Sequence, residues 1–134
     1  MPGRGALRFA EVMEGWLRRP EAAARAFGFR IRVTVPGGVR PFGTAAGSVD
    51  GTVHLGGLAT AAPATGTLEI SPWERRRIRY VLDFALDDGT RLRFDGTKRI
   101  SYARPIRSWT TLPGLVTEAG RPWGRALLRF PVRT

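Results

Sequence analysis

Apolar and polar residues alternate with period two through much of this chain. The clearest run is Ile78 to Leu86. Ile78, Tyr80, Leu82, Phe84 and Leu86 share one face, and Arg79 and Asp83 take the other. Asp87-Asp88-Gly89-Thr90 follows, and then Leu92 and Phe94 resume the apolar phase between Arg91, Arg93 and Asp95. Successive side chains of a strand point to opposite sides, so the segment reads as an antiparallel hairpin with one dry face and one charged face. The same alternation occurs in Phe29 to Val35, in Ser48 to Leu55 and in Arg125 to Arg133. Shorter strands are expected at Leu7 to Gly15, Thr65 to Ser71 and Ile106 to Leu112, the last bracketed by Pro105 and Pro113-Gly114. Val39 to Ala46 reads as a loop. Arg18 to Ala26, Ala-rich with Pro20 near its start, is expected to form one short helix or helical turn.

About eight short strands with turn residues between them indicate an all-β sandwich or barrel. The closed antiparallel up-and-down barrel of calycin or lipocalin type is the favoured architecture, because closure removes free strand edges. At 134 residues, with no linker or repeat, the whole chain, 1–134, reads as one domain.

The inward phase carries most of the large apolar side chains, enough to fill most of such a barrel. Whether the interior is only a packed core or also holds one small ligand is open at this point. Two charged residues break the phase. Glu11 lies between Phe9 and Met13, and Lys98 follows Leu92, Phe94 and Gly96 at period two. A lone inward ammonium is costly unless paired. One expectation is that Glu11 and Lys98 meet inside the barrel or at its mouth. The alternative is a bulge near Gly96 that turns Lys98 to solvent. Glu11, Lys98 and Trp109, with the inward aromatics Tyr80, Phe84 and Phe94, are the candidate ligand-binding residues.

The net charge is +11, and Lys98 is the only lysine among 22 basic residues. An excess of arginine over lysine suits a GC-rich coding sequence, whereas the excess of bases over acids also suits an anionic partner. Arg75, Arg76, Arg77, Arg91, Arg93 and Arg129 are the candidate basic surface, open to nucleic acid or an acidic protein. The chain has no cysteine and a single histidine, His54, on the outward phase, so no zinc-type ligand set can be assembled. No Gly-rich phosphate loop and no nucleophile elbow is present. No catalytic constellation is recognised, and neither a metal nor a cofactor is expected. Asp87 and Asp88, before Gly89, read as turn residues rather than a carboxylate pair. No run approaches the roughly 18 apolar residues of a membrane span. With no apolar leader either, a cytoplasmic location is the expectation.

The order of several short motifs adds a resemblance. Phe9-x-Glu11-x-Met13-x-Gly15 is followed by Gly51-Thr52-Val53 and Gly66-Thr67-Leu68. Then come Arg77-x-x-Tyr80-x-Leu82-x-Phe84, Asp88-Gly89, Gly96-x-Lys98 and Trp109-Thr110-Thr111-Leu112. This series resembles the small β-barrel modules found with cholesterol-oxidase-like flavin oxidoreductases of the GMC type. No dinucleotide-binding fingerprint is present. The resemblance therefore implies a non-catalytic accessory barrel, one that handles a sterol-like or other lipid molecule or docks on an oxidoreductase. Glu11, Lys98 and Trp109 fall on its motif positions, and the chain departs from it after Leu112.

Overall fold

The computed structural model describes residues 6–38, 43–72, 76–99 and 111–130. They form eight strands: β1 (Leu7–Arg18), β2 (Arg25–Val35), β3 (Ala45–Leu55), β4 (Ala59–Ser71), β5 (Arg77–Ala85), β6 (Arg91–Arg99), β7 (Thr111–Glu118) and β8 (Arg121–Arg129). Each strand pairs with its neighbours in sequence, and β8 returns to β1 through the antiparallel ladder Glu14↔Arg129 to Arg18↔Arg125. The result is a closed up-and-down antiparallel barrel, as the alternation predicts. No helix among the described residues is long and apolar enough to cross a membrane, a statement that does not bear on strands.

The expected helix at Arg18 to Ala26 is not formed. Arg18 belongs to β1, and Arg25 and Ala26 belong to β2. What remains is a turn in which the Ala22 amide donates to the Arg19 carbonyl at 3.3 Å, Pro20 and Glu21 lie between them, and Glu21 has φ 57°. Helix nucleation is costly, and residues 19–24 are too few to offset it once the flanking residues are held in ladders. The other strand limits also shift outward. β1 runs three residues past Gly15, β4 starts at Ala59 rather than Thr65, and β3 takes Ala45 and Ala46 from the expected loop. Pro113-Gly114 does not end a strand but lies inside β7, where Pro113 faces Leu127 and Gly114 faces Ala126. Pro113 sits just outside the β6 ladder, which begins at Gly114, and a missing N–H is tolerated at such an edge. Most of the expected strand Ile106 to Leu112 lies outside the described residues, as does the end of the last strand beyond Phe130.

The two ends of the barrel differ. One end carries the short turns β1–β2, β3–β4, β5–β6 and β7–β8. The other carries the start of β1, the end of β8 and the connections that leave Val35, Ser71 and Arg99. At the turn end the β5–β6 hairpin is closed by Gly89 N to Leu86 O (2.9 Å) and Leu86 N to Thr90 O (2.8 Å). Asp88 accepts from the Thr90 amide at 2.9 Å, which is the turn role expected of it. Trp123 is buried there, with the Arg19 guanidinium 4.2 Å from its ring centroid.

The interior is filled by side chains through its middle. Phe27, Phe29 and Phe94 are buried, and Phe94 lies 5.7 Å from Phe27 and 6.0 Å from Phe29 between ring centroids. Inward glycines make this possible. A Cβ at Gly96 would stand 2.5 Å from the Phe94 ring, and one at Gly114 would overlap the same ring. Gly15, Gly51 and Gly66 serve a different purpose. A Cβ there would overlap the carbonyl oxygens of Leu127, Arg30 and Val81 on the neighbouring strand. Strands bend sharply at such positions, and bending lets eight strands close on a narrow core.

Candidate functional site

Three polar side chains from three strands converge in this apolar interior. Glu11 projects from β1, Tyr80 from β5 and Lys98 from β6, and none is more than 8% exposed. β1 and β5 lie on opposite walls, four strands apart in the closed order, so Glu11 reaches across the barrel rather than along a ladder. The Tyr80 hydroxyl donates to the Glu11 carboxylate, 2.7 Å from Oε1 and 3.0 Å from Oε2. Lys98 Nζ donates to Glu11 Oε2 at 3.5 Å. The expected pairing of Glu11 with Lys98 is therefore present. The bulge near Gly96 is not: the β5–β6 register runs unbroken from Arg77↔Arg99 to Ala85↔Arg91, which holds Lys98 on the inward phase.

Aromatic rings complete the surroundings of the ammonium. Nζ lies 4.0 Å from the Phe130 ring centroid and 5.2 Å from that of Tyr80. Phe29 supports Tyr80 from the barrel middle at 6.2 Å between centroids. A cation over an aromatic face is stabilised by the ring quadrupole, and more so when water is excluded. Among the described residues no buried side-chain nitrogen or oxygen lacks a hydrogen-bond partner, so the trio is internally satisfied.

Burial sets the proton chemistry. It pushes the Tyr80 phenol well above its ordinary value, and the Glu11 charge and hydrogen bond push the same way, so Tyr80 remains a protonated donor. Burial pulls the Lys98 amine below its ordinary value, with the Glu11 charge and hydrogen bond opposing. A carboxylate, a phenol and an amine thus share one dry compartment and are linked by hydrogen bonds.

The cluster is not at the turn end. Lys98 is one residue from the end of β6, and Tyr80 is three residues into β5, both toward the end that carries Phe130. Phe94 sits in the middle of the barrel, and Phe84 lies nearer the turns, 6.2 Å from Phe27. Of the six ligand-binding candidates, the structure brings Glu11, Tyr80 and Lys98 into contact, makes Phe94 part of the central packing and sets Phe84 apart. Trp109 lies outside the described residues. Phe130 joins the site without having been singled out for it. Its signal was the alternation Ala126, Leu128, Phe130.

The basic surface divides as well. Arg79 makes a two-point ion pair with Asp95 (3.0 and 2.6 Å), and Arg93 does the same with Asp83 (2.7 and 3.1 Å). Arg93 is thus offset by a carboxylate, whereas Arg91 and Arg129 are exposed on the outer wall. Arg77 opens β5, Arg76 directly precedes it, and Arg75 falls outside the described residues. His54 is on the outer face, its ring lying over Gly28. The described residues contain no group of three His, Cys, Asp or Glu side chains able to hold a metal ion.

Two larger cavities lie away from the trio. One of about 600 Å³ is at the turn end, lined by Leu17, Arg19, Leu58, Leu86 and Trp123 among others. Another of about 620 Å³ lies where β6 departs from β7, lined by Phe84, Arg91, Leu92, Thr117 and Gly120 among others.

No family model matches this chain, and no curated protein or solved structure matches it.

Proposed function

We propose that this barrel is a non-catalytic binding module for a small, largely apolar molecule, held at the end of the barrel that carries Phe130. The observation that carries the proposal is the convergence of Glu11, Tyr80 and Lys98 from opposite walls in an interior whose described core is mostly apolar. As a device for stability alone the trio is poor, because a buried ion pair replaced by hydrocarbon of similar volume is often neutral or stabilising. As a recognition device it suits a ligand with an apolar body and one oxygen function, since a few polar groups among apolar walls fix orientation. The resemblance to barrels that accompany GMC-type flavin oxidoreductases supports a sterol-like or other lipid ligand, with service beside an oxidoreductase.

Native mass spectrometry of the protein purified from its own host tests this reading. An apolar adduct in the wild type, lost or diminished in a folded Lys98→Met variant, is the expected result. The unliganded mass alone, at every ionisation energy, overturns it.

The alternative is a docking face for nucleic acid or an acidic protein, carried by exposed arginines such as Arg91 and Arg129. Arg79 and Arg93 weaken that face, because their charges are offset by Asp95 and Asp83. A salt titration separates the two readings. Phosphate binding weakens steeply as salt rises, and apolar binding does not.

A further inference from the structure

Of 22 basic residues in the chain one is lysine, and among the described residues it is the only basic one that is buried. A bias toward arginine accounts for the wet surface, and that same bias makes the exception informative. Arginine is the usual choice for a buried ion pair, because its planar fork matches a carboxylate and is weakly hydrated. Lysine can do what arginine cannot: it can release its proton and act as a nucleophile.

The neighbours of Lys98 are those an amine nucleophile needs. Glu11 Oε2, from β1, is 3.5 Å from Nζ and can take its proton. The Tyr80 hydroxyl, from β5, donates to Glu11 Oε1 at 2.7 Å and holds that carboxylate in place. Just past β8, Phe130 presents a ring over Nζ and no charge. That ring is half-buried and directly follows the last strand, so it is a group that an entering molecule would displace.

We infer that Lys98 captures the carbonyl group of an apolar aldehyde or ketone as a reversible imine. The inference rests on the binding reading above and adds the chemical class of the ligand. Glu11 first accepts a proton from the Lys98 ammonium. The neutral Nζ attacks the carbonyl carbon, a C–N bond forms as the carbonyl π bond breaks, and one N–H proton passes by way of Glu11 to the oxygen to give a carbinolamine. The second N–H proton follows the same route as the C–O bond breaks, so the oxygen departs as water and leaves a C=N bond, with the proton first taken from the ammonium remaining on Glu11. One carbonyl and one amine become one imine and one water, so no oxidant or reductant is required.

The experiment uses the full chain with nonanal and with benzaldehyde, each followed by borohydride reduction, intact-mass measurement and peptide mapping. Any lysine adduct must be on Lys98, and the α-amino group is resolved by its own peptide. The expected result is a Lys98 adduct whose yield saturates with aldehyde concentration. It is absent from Lys98→Arg. It forms faster in Phe130→Ala. Circular dichroism establishes that each variant keeps its strands. If Lys98 stays unmodified in both the native protein and folded Phe130→Ala, yet is labelled in urea, the inference is overturned. Native mass spectrometry reads non-covalent ligand independently. An apolar adduct there without borohydride trapping would overturn imine capture and leave the binding module standing, and loss of both would overturn the two together.

Discussion

Replacing Glu11 by Gln keeps the shape of the side chain and an acceptor for Tyr80 but removes the charge facing Lys98. Breaking a buried ion pair by removing one partner costs about 3–5 kcal/mol. The structure also sets a ceiling on this cost, because an unpaired buried ammonium can shed its proton. From the ordinary lysine value of 10.5, that costs about 1.4 kcal/mol per pH unit, or about 5 kcal/mol at pH 7 and about 1.4 kcal/mol at pH 9.5. The sign follows from proton binding. With its partner gone, Lys98 binds a proton less readily in the folded chain than in the unfolded one. Stability of the variant therefore rises with pH until about 10.5, where the unfolded lysine also becomes neutral. Equilibrium urea unfolding followed by tryptophan fluorescence, at pH 7 and at pH 9.5, measures both values. The expected loss relative to wild type is about 3–5 kcal/mol at pH 7, falling to about 1–2 kcal/mol at pH 9.5. The Glu11→Gln/Lys98→Met double variant should return to within about 1 kcal/mol of wild type, since no charge is then buried. A single-variant loss below about 1 kcal/mol at pH 7, or a loss that does not change with pH, would refute the claim that Glu11 holds a buried charge on Lys98.

Tyr80→Phe removes a donor to a charged acceptor and should cost about 1.5–3 kcal/mol in the same unfolding assay. Because its phenol is held protonated, Tyr80 should add nothing to the 295-nm absorbance rise of the folded protein on alkaline titration, and the Tyr80→Phe titration should overlay wild type until unfolding begins. Unfolded tyrosine ionises near 10, so the stability Tyr80 contributes is complete below that pH and declines above it. Gly66→Ala should destabilise by about 3 kcal/mol or prevent folding, because the new Cβ overlaps the Val81 carbonyl oxygen on the facing strand, and thermal unfolding reads the effect. Asp83→Asn should cost under about 1 kcal/mol and nothing measurable in 1 M salt, since the Arg93–Asp83 pair is roughly half exposed.

Residues whose environment is set within one strand were the ones legible in the sequence. Tyr80, Leu82 and Phe84 alternate with Arg79 and Asp83, and the structure places the first three inside and the charges outside. Lys98 was assigned inward by the same phase, and Gly96 did not break it because the ladder to β5 continues on both sides. The misreadings came from residues whose local preference was overruled by pairing. Ala22 and Ala23 favour a helix in isolation, but the ladders of β1 and β2 leave them only a turn. Pro113 and Gly114 usually break strands, but here β8 supplies partners for both. The inward glycines stand in the sequence only as motif positions. Glycine carries no hydropathy, so nothing local shows that a Cβ at Gly15, Gly51 or Gly66 would overlap a carbonyl oxygen of the neighbouring strand.

The contact between Tyr80 and Glu11 lies beyond any local pattern, because the two residues are 69 positions apart and on opposite walls. Only closure brings them together. This bears on why the polar groups are gathered toward the Phe130 end. Phe27, Phe94 and Phe29 occupy the axis below Tyr80, and Trp123 with Arg19 covers the turn end. A charge placed among those rings would have no partner within reach and would cost several kcal/mol by desolvation alone. Above them, Glu11 can extend from β1 until it meets β5 and β6, and Phe130 shields the pair from water. The packing that fills the barrel therefore also confines its chemistry to one end. If the barrel binds as proposed, replacing Phe84 near the turns should lower stability in urea unfolding but leave the borohydride-trapped adduct at Lys98 intact.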